Sequence, residues 1–237
     1  MTVTELAFLP SATPGEVPAA YLREGTAAIE AQDQWCAENF PVTDTTTSTP
    51  TDPEGGKPHW HRERRGAALY QQRSDGGVVL VTAHWASVEQ HQAWIASPAN
   101  QGVMARLAPL VSAQDVAFFH VRDAEMFTPH TLGAPVLSVT RVRVRAEAGE
   151  FMGRFESERG KALDELTAPY RHTAGWRVER VEGAAEGEEE LVVVGGWESE
   201  ESAGRWEEGG GRAFAERFGG LMREVLGVDV KTYRRIL

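Results

Sequence analysis

The sequence predicts an α+β fold in which one βαββαβ unit occurs twice, and three observations predict it. Residues 80–111 (LVTAHWASVEQHQAWIASPANQGVMARLAPLV) and 192–222 (VVVGGWESEESAGRWEEGGGRAFAERFGGLM) share one pattern. Each runs from a β-branched strand into Trp-x-Ser, places a second Trp nine residues after the first, and closes on Arg-(Leu/Phe)-x-x-Leu. Trp85, Ser87 and Trp94 thus answer to Trp197, Ser199 and Trp206, and after a one-residue slip Arg106 and Leu110 answer to Arg217 and Leu221. Self-similarity at this spacing marks a duplicated supersecondary unit. The third observation is the order of elements around each copy, the split βαββαβ of ferredoxin-like folds.

The elements follow in order. Thr2 to Leu9 alternate and read as a strand, ended by Pro10, Pro14 and Gly15. Pro18 opens a helix whose inner face carries Leu22, Gly25, Ile29, Gln32 and Cys36. A Thr, Ser, Pro and Gly-rich loop is expected at 41–65. Gly66–Arg73 and Val78–Trp85 form a hairpin around Asp75-Gly76-Gly77. Ser87 caps the next helix, with Gln90 completing a capping box; the helix breaks at Ser97-Pro98 and resumes to about Val111. Asp115–Val121 is the closing strand. The first repeat spans 1–122, a linker 123–134 and the second repeat 135–237. In the second, Pro135–Arg145, His172–Val181, Glu190–Trp197 and Val228–Ile236 are strands, with helices over Glu150–Leu166 and from Ser199. Gly209–Gly211 mark a kink, and the acidic run Glu186–Glu190 reads as a solvated hairpin tip.

Bulk properties narrow the function classes. The net charge of −11 argues against a nucleic-acid or anionic-membrane surface, which needs a basic face. No apolar run is long enough to cross a membrane, and the N-terminus lacks a signal-peptide pattern. Cys36 is the only cysteine, so no intrachain disulfide forms and a cytoplasmic setting is expected. No Gly-rich phosphate loop follows a strand and no Gly-x-Ser-x-Gly elbow occurs.

A four-stranded sheet with two helices covers one face only, yet Glu190–Trp197 (ELVVVGGW) is apolar on both. Two copies packed sheet on sheet meet that need within one chain. With its strand–Trp-x-Ser–helix junctions at 80–94 and 192–206, the chain resembles over nearly its whole length the dimeric α/β-barrel superfamily, and within it the antibiotic-biosynthesis monooxygenases. The resemblance implies an intramolecular dimeric α/β-barrel. It also implies a cofactor-independent monooxygenase or cyclase of secondary metabolism, acting on an aromatic or polyketide-like small molecule. Relatives include isomerases, haem-handling enzymes and proteins without catalysis. A monomer with an internal pseudo-dimer is expected, with a homodimer left open.

Histidine separates the two copies. His84, His91 and His120 align with Gly196, Ala203 and Arg234. Histidine moves protons near neutral pH, so His84 and His120 are the expected catalytic bases, with Tyr70 as a hydroxyl donor. Arg141, on the same strand face as Leu137 and Val139, is expected to bind an anion inside the barrel; otherwise it pairs with a surface glutamate at the barrel mouth. Trp85, Phe118 and His91 are the expected ligand walls, although tryptophans repeated in both copies also suit packing anchors. The site is expected between sheet and helices of the first repeat, or in the barrel on that side. His59 and His61 lack a third ligand at diagnostic spacing, so no metal is expected. The rival expectation is a non-catalytic ligand-binding or stress-responsive barrel with aliphatic barrel-facing positions and surface histidines. A haem reading needs a histidine open to a large pocket.

Overall fold

The computed structural model describes residues 2–40, 67–113, 115–122, 131, 133–145 and 148–237. The loop expected at 41–65, with His59 and His61, and most of the linker expected at 123–134 lie outside the described residues. The first repeat contains β1 (Val3–Pro10), α1 (Ala19–Asn39), β2 (Ala68–Gln72), β3 (Val78–Trp85), α2 (Val88–Ala96), α3 (Pro98–Leu107) and β4 (Ala117–Arg122). The second contains β5 (Val136–Arg145), α4 (Ala148–Ala162), a short α5 (Asp164–Thr167), β6 (His172–Arg177), β7 (Glu188–Trp197), α6 (Glu200–Arg217) and β8 (Val225–Arg235).

Local chemistry sets the breaks. The Ser87 side chain accepts from the Gln90 backbone N–H at the start of α2, and Ser97 does the same for Asn100 at the start of α3, where Pro98 takes the first turn. Within α6, Gly210 has a φ of 47°, a left-handed conformation that glycine adopts without steric cost, and the helix kinks there as the three glycines predict.

The strands close into one antiparallel barrel in the order β1-β3-β2-β8-β5-β7-β6-β4. Each half repeats the other: β4-β1-β3-β2 in the first, β8-β5-β7-β6 in the second. Two short seams join them, Tyr70↔Arg235 to Gln72↔Tyr233 on one side and Val121↔Arg177 with Arg122↔Trp176 on the other. The chain therefore has the dimeric α/β-barrel fold, built of tandem ferredoxin-like repeats.

Side chains of successive strand residues alternate between lumen and helices. Leu6, Tyr70, Leu80, Phe119, Leu137, Val139, Val192, Val194 and Tyr233 form one cluster in the lumen. The lumen is thus packed, and the helix-facing sides carry separate cores. In the second repeat that core is aromatic: Phe155 lies 5.0 Å from Phe218, and Phe214 lies 4.6 Å from Phe218. Among the described residues no helix is long and apolar enough to cross a membrane.

Two details of the sequence reading change. Glu190 does not sit at a solvated tip. It belongs to β7, is 3% exposed and bonds to Arg141 and Arg177. Pairing also corrects one alignment. Val3 pairs with Trp85 as Val136 pairs with Trp197, so Glu5 corresponds to Ser138. His120 pairs with Glu5, and Thr232 pairs with Ser138. His120 therefore corresponds to Thr232, and Arg234 corresponds to Arg122.

Phe155 is fully buried among Phe214, Phe218 and their neighbours. Phe155→Ala is expected to cost about 3–5 kcal/mol of unfolding free energy in urea titration, the range for deleting a packed aromatic ring. A loss under about 1 kcal/mol would mean that this half is loosely packed.

Candidate active site

The first repeat keeps open the space that the second fills. A cavity of about 280 Å³ lies between the sheet and the three helices α1, α2 and α3. Tyr21, Gly25 and Ile29 on α1 form one wall, Trp94, Val103 and Leu107 another, and Ala7, Leu69 and Val81 line the sheet side. By the Arg106–Arg217 correspondence, Val103 and Leu107 stand where the second repeat has Phe214 and Phe218. Gly25 lets α1 lie close to the sheet: a Cβ there would come within 2.8 Å of Leu69 Cδ1. Ile95, Met104, Val116 and Phe118 line the cavity and are 41–47% exposed, so its mouth is apolar too.

One end of this apolar cavity is ionisable. Glu5 and His91 line it, and both are buried. Trp85 Nε1 donates to Glu5 Oε2 at 2.9 Å, and His91 Nε2 lies 3.3 Å from the same oxygen. His91 Nδ1 is 2.7 Å from His120 Nε2. The His120 ring continues through Nδ1 to Glu179 Oε1 at 2.5 Å, and its backbone N–H donates to Glu179 Oε2 at 2.8 Å. Four side chains, from β1, α2, β4 and the segment just past β6, thus form one line of polar contacts. The second repeat keeps the geometry of the anchor and drops the charges. Trp197 Nε1 donates to Ser138 Oγ at 2.9 Å, and the places of His91 and His120 are taken by Ala203 and Thr232.

The local causes are readable. The Ser87 cap starts α2 so that His91 falls one turn inside the helix, stacked on the Trp85 indole at 4.6 Å. On β4, alternation turns Phe118 and His120 to the helix side while Phe119 and Val121 enter the lumen. Burial pushes the Glu179 carboxyl up, but bonds from the His120 ring and backbone N–H outweigh this and hold it below its ordinary value.

Of the residues singled out in the sequence, the structure brings together His91, His120, Phe118 and Trp85. Trp85 is an anchor behind His91 rather than a wall of the cavity. The other three lie elsewhere. His84 shares the lumen side of β3 with Leu80, opposite to Trp85. Tyr70 is wholly buried in the lumen, where burial raises its hydroxyl pKa well above the ordinary value. Arg141 binds Glu190 through Nε at 3.1 Å and Nη2 at 2.8 Å, and Arg177 Nη1 reaches the same carboxylate at 3.3 Å. This group sits at a second cavity of about 230 Å³ at the barrel mouth, so the fork of Arg141 is filled by the chain's own glutamate.

Sequence reasoning missed Glu5 and Glu179. Glu5 had a signal, a carboxylate between Val3 and Ala7 on the inward face of an alternating strand; Glu179 had none. The lumen is lined as the rival reading expects, but His91 and His120 are buried rather than at the surface.

No protein-family model and no curated protein matches the sequence. Among solved structures, an anthrone oxidase-like protein is similar over 100% of this chain and 92% of its own, at 12% identity and a TM-score of 0.54. A structure described as that of a chlorite dismutase candidate is similar over 99% and 95%, at 11% identity and a TM-score of 0.51. A monooxygenase candidate from Lactobacillus acidophilus NCFM covers 99% and 93%, at 10% identity and a TM-score of 0.49. At these identities the likeness is one of fold.

Haem, which the resemblance admits, does not fit the residues present. Both ring nitrogens of His91 face partners, a cavity of about 280 Å³ is too small for the macrocycle, and phenylalanines fill the second repeat. Among the described residues no group of three or more His, Cys, Asp or Glu could hold a metal ion.

A carboxyl held below its ordinary value by folding stabilises the fold at pH above that ordinary value. The contribution is lost as pH falls through the lowered folded value. Glu179→Gln is therefore expected to be less stable than the parent at neutral pH, and equally stable where Glu179 is protonated in both states. Urea unfolding at the two pH values checks this.

Proposed function

We propose that the chain is an enzyme that removes a proton from an aromatic, phenolic ligand held in the first repeat's cavity, and that the resulting anion is oxidised by molecular oxygen. The observation that carries this reading is the asymmetry of the duplicated scaffold. The half with an open cavity places Glu5 and His91 at its inner end, whereas the other half, where phenylalanines pack together among the described residues, has Ser138 and Ala203 there. A buried acid–base pair beside an apolar cavity suits proton transfer to or from a bound ligand.

The cavity favours a small, flat, apolar ligand. About 280 Å³ lies at the lower edge of ligand-pocket sizes. The ligand would enter past Phe118 and Met104 and present its acidic C–H or O–H to Glu5 or His91. Tyr21 suits a wall better than a base: its hydroxyl donates to the Leu9 carbonyl, and burial raises its pKa far above the working range.

Chemically, a methylene between two aryl rings conjugated to a carbonyl, as in an anthrone, loses a proton to the base and leaves a delocalised carbanion. Oxygen accepts one electron from it, the radical pair combines to a peroxide anion that is protonated, and removal of the second C–H proton breaks the O–O bond, leaving a carbonyl and hydroxide that is protonated to water. In sum R₂CH₂ and O₂ become R₂C=O and H₂O. The similarity in fold to an anthrone oxidase-like protein supports trying this substrate class first. The fold alone selects no reaction, and ring closure of the same carbanion is the variant without oxygen. Placement in secondary metabolism belongs to this proposal.

Oxygen uptake with anthrone-type and related phenolic substrates tests it. Glu5→Gln and His91→Ala are each expected to lower kcat on the order of a hundredfold or more, and Phe118→Ala to raise KM with a smaller effect on kcat. Unchanged turnover in both acid–base variants would sink the proposal.

A further inference from the structure

A ligand in the cavity would stand between its inner end and the mouth, so a proton taken there needs another exit. His91 is 3% exposed and His120 2%, and the Trp85 indole covers one face of His91. The line of side chains does not stop at His120. It ends at Glu179, whose side chain is 36% exposed. Glu179 belongs to the second repeat, just past β6, and reaches the first repeat across the β4–β6 seam, where the Val178 N–H donates to the His120 carbonyl at 2.8 Å.

We propose that His91 and His120 form a proton relay between the cavity and solvent, with Glu179, supplied by the second repeat, as its outer terminus. The proposal rests on the acid–base reading of the cavity for its use, but the relay itself can be tested without a substrate.

The contacts define the path. An ionised carboxylate only accepts hydrogen bonds, and each imidazole passes a proton by receiving one at one nitrogen and giving one at the other. The inner nitrogens, His91 Nδ1 and His120 Nε2, are 2.7 Å apart and must share a proton. In one arrangement His91 Nδ1–H donates to His120 Nε2 and His120 Nδ1–H donates to Glu179. Glu5 then takes the ligand's proton and hands it to the bare His91 Nε2. The inner proton moves to His120, and the proton of His120 Nδ1 leaves through Glu179 to water. Both rings now carry their proton on Nε2, so the line points inward. A proton entering at Glu179 travels the reverse way, is released at Glu5, and restores the starting tautomers. Alternating outward and inward transfers, two of each per turnover, match a reaction that removes the two C–H protons of a methylene and delivers two protons to oxygen. No net proton is consumed.

The titratable groups of the line are Glu5 from β1, the two rings from α2 and β4, and Glu179. Glu179 is suited to its end because its hydrogen bonds with His120 keep it ionised and ready to accept. In the second repeat Thr232 replaces His120; its hydroxyl donates to Glu207 of the same repeat, and Arg73 Nη1 lies 3.4 Å from its Oγ1, so no pair of imidazoles links the anchor to that acid.

The test is the rate at which the ring N–H protons of the pair exchange with water, read by NMR on the full chain with ¹⁵N-labelled histidine. Fast exchange is expected in the parent despite burial. In Glu179→Ala it should slow by about tenfold or more, because exchange then waits for local opening. Added formate should restore it, since a diffusible carboxylate replaces the missing terminus and a merely structural role would not be rescued. Glu5→Gln, at the far end, should leave the exchange of the His120 proton fast. Equal rates in parent and Glu179→Ala, slow exchange in the parent, or slowing without rescue by formate would each overturn the relay. Unchanged backbone amide spectra away from the seam verify the fold of the variant. If the relay fails while Glu5→Gln still abolishes oxygen uptake, the catalytic reading stands without it. If the relay holds and no phenolic substrate is turned over, the reverse is true.

Discussion

The barrel exists because each four-stranded sheet has an apolar face that its own helices cannot reach. Burying that face requires a second sheet, and one chain provides it. Leu80 and Phe119 from one half meet Val139, Val192 and Val194 from the other in the lumen. Everything else follows from that closure. Aliphatic and aromatic side chains pack the lumen, and the open space described above lies on the helix side and at the barrel mouth, where Phe119, Val139 and Tyr233 line it. Fusion into one chain also frees the halves from identity. A symmetric pair would repeat any cavity or plug, whereas here one helix–sheet layer stays open and the other is filled by phenylalanines.

The tryptophan after β3 and its counterpart after β7 illustrate how a packing contact acquires chemistry. Each indole is buried and needs an acceptor for its N–H. Ser138 serves in the second repeat and a glutamate in the first, both at 2.9 Å. Serine satisfies the indole and nothing more. A buried carboxylate is costly unless several donors reach it; Trp85 is one, and His91 Nε2, 3.3 Å away, is a second whenever it carries the proton. Once His91 is in place its second nitrogen also needs a partner, which His120 provides, and the same logic leads on to Glu179. A hydrogen-bonded line from cavity to surface is thus what satisfying each buried polar group in turn produces.

The seams between the halves have different contents. At β2–β8 strands meet with Arg73 reaching Thr232 and Glu200, a mixed and partly exposed set. At β4–β6 the same step of the barrel brings Glu179 to His120. The first repeat alone would carry the cavity, the anchor and both histidines, but its line would end at a bare ring nitrogen. The barrel mouth shows the opposite economy: Glu190 is held by two arginines and closes on itself.

The sequence by itself determined the architecture. Hydrophobic alternation, the Ser87 and Ser97 caps, the Asp75-Gly76-Gly77 turn and the glycines of α6 act within a few residues, so their effects are legible in order along the chain. The duplicated Trp-x-Ser junction fixed the number of repeats, and a strand apolar on both faces required sheet-on-sheet packing. The difference in histidines marked the first repeat as the one to watch. Which residues meet was decided only by the tertiary structure, because side chains far apart in sequence face each other through register and strand parity. Parity sent His84 and Tyr70 into the lumen and His120 to the helices, although all three had looked alike as candidates. Register paired Glu5 with His120 and made Thr232 its counterpart. Barrel closure brought Glu179 across from the other repeat, a contact between residues 59 positions apart that no local pattern encodes.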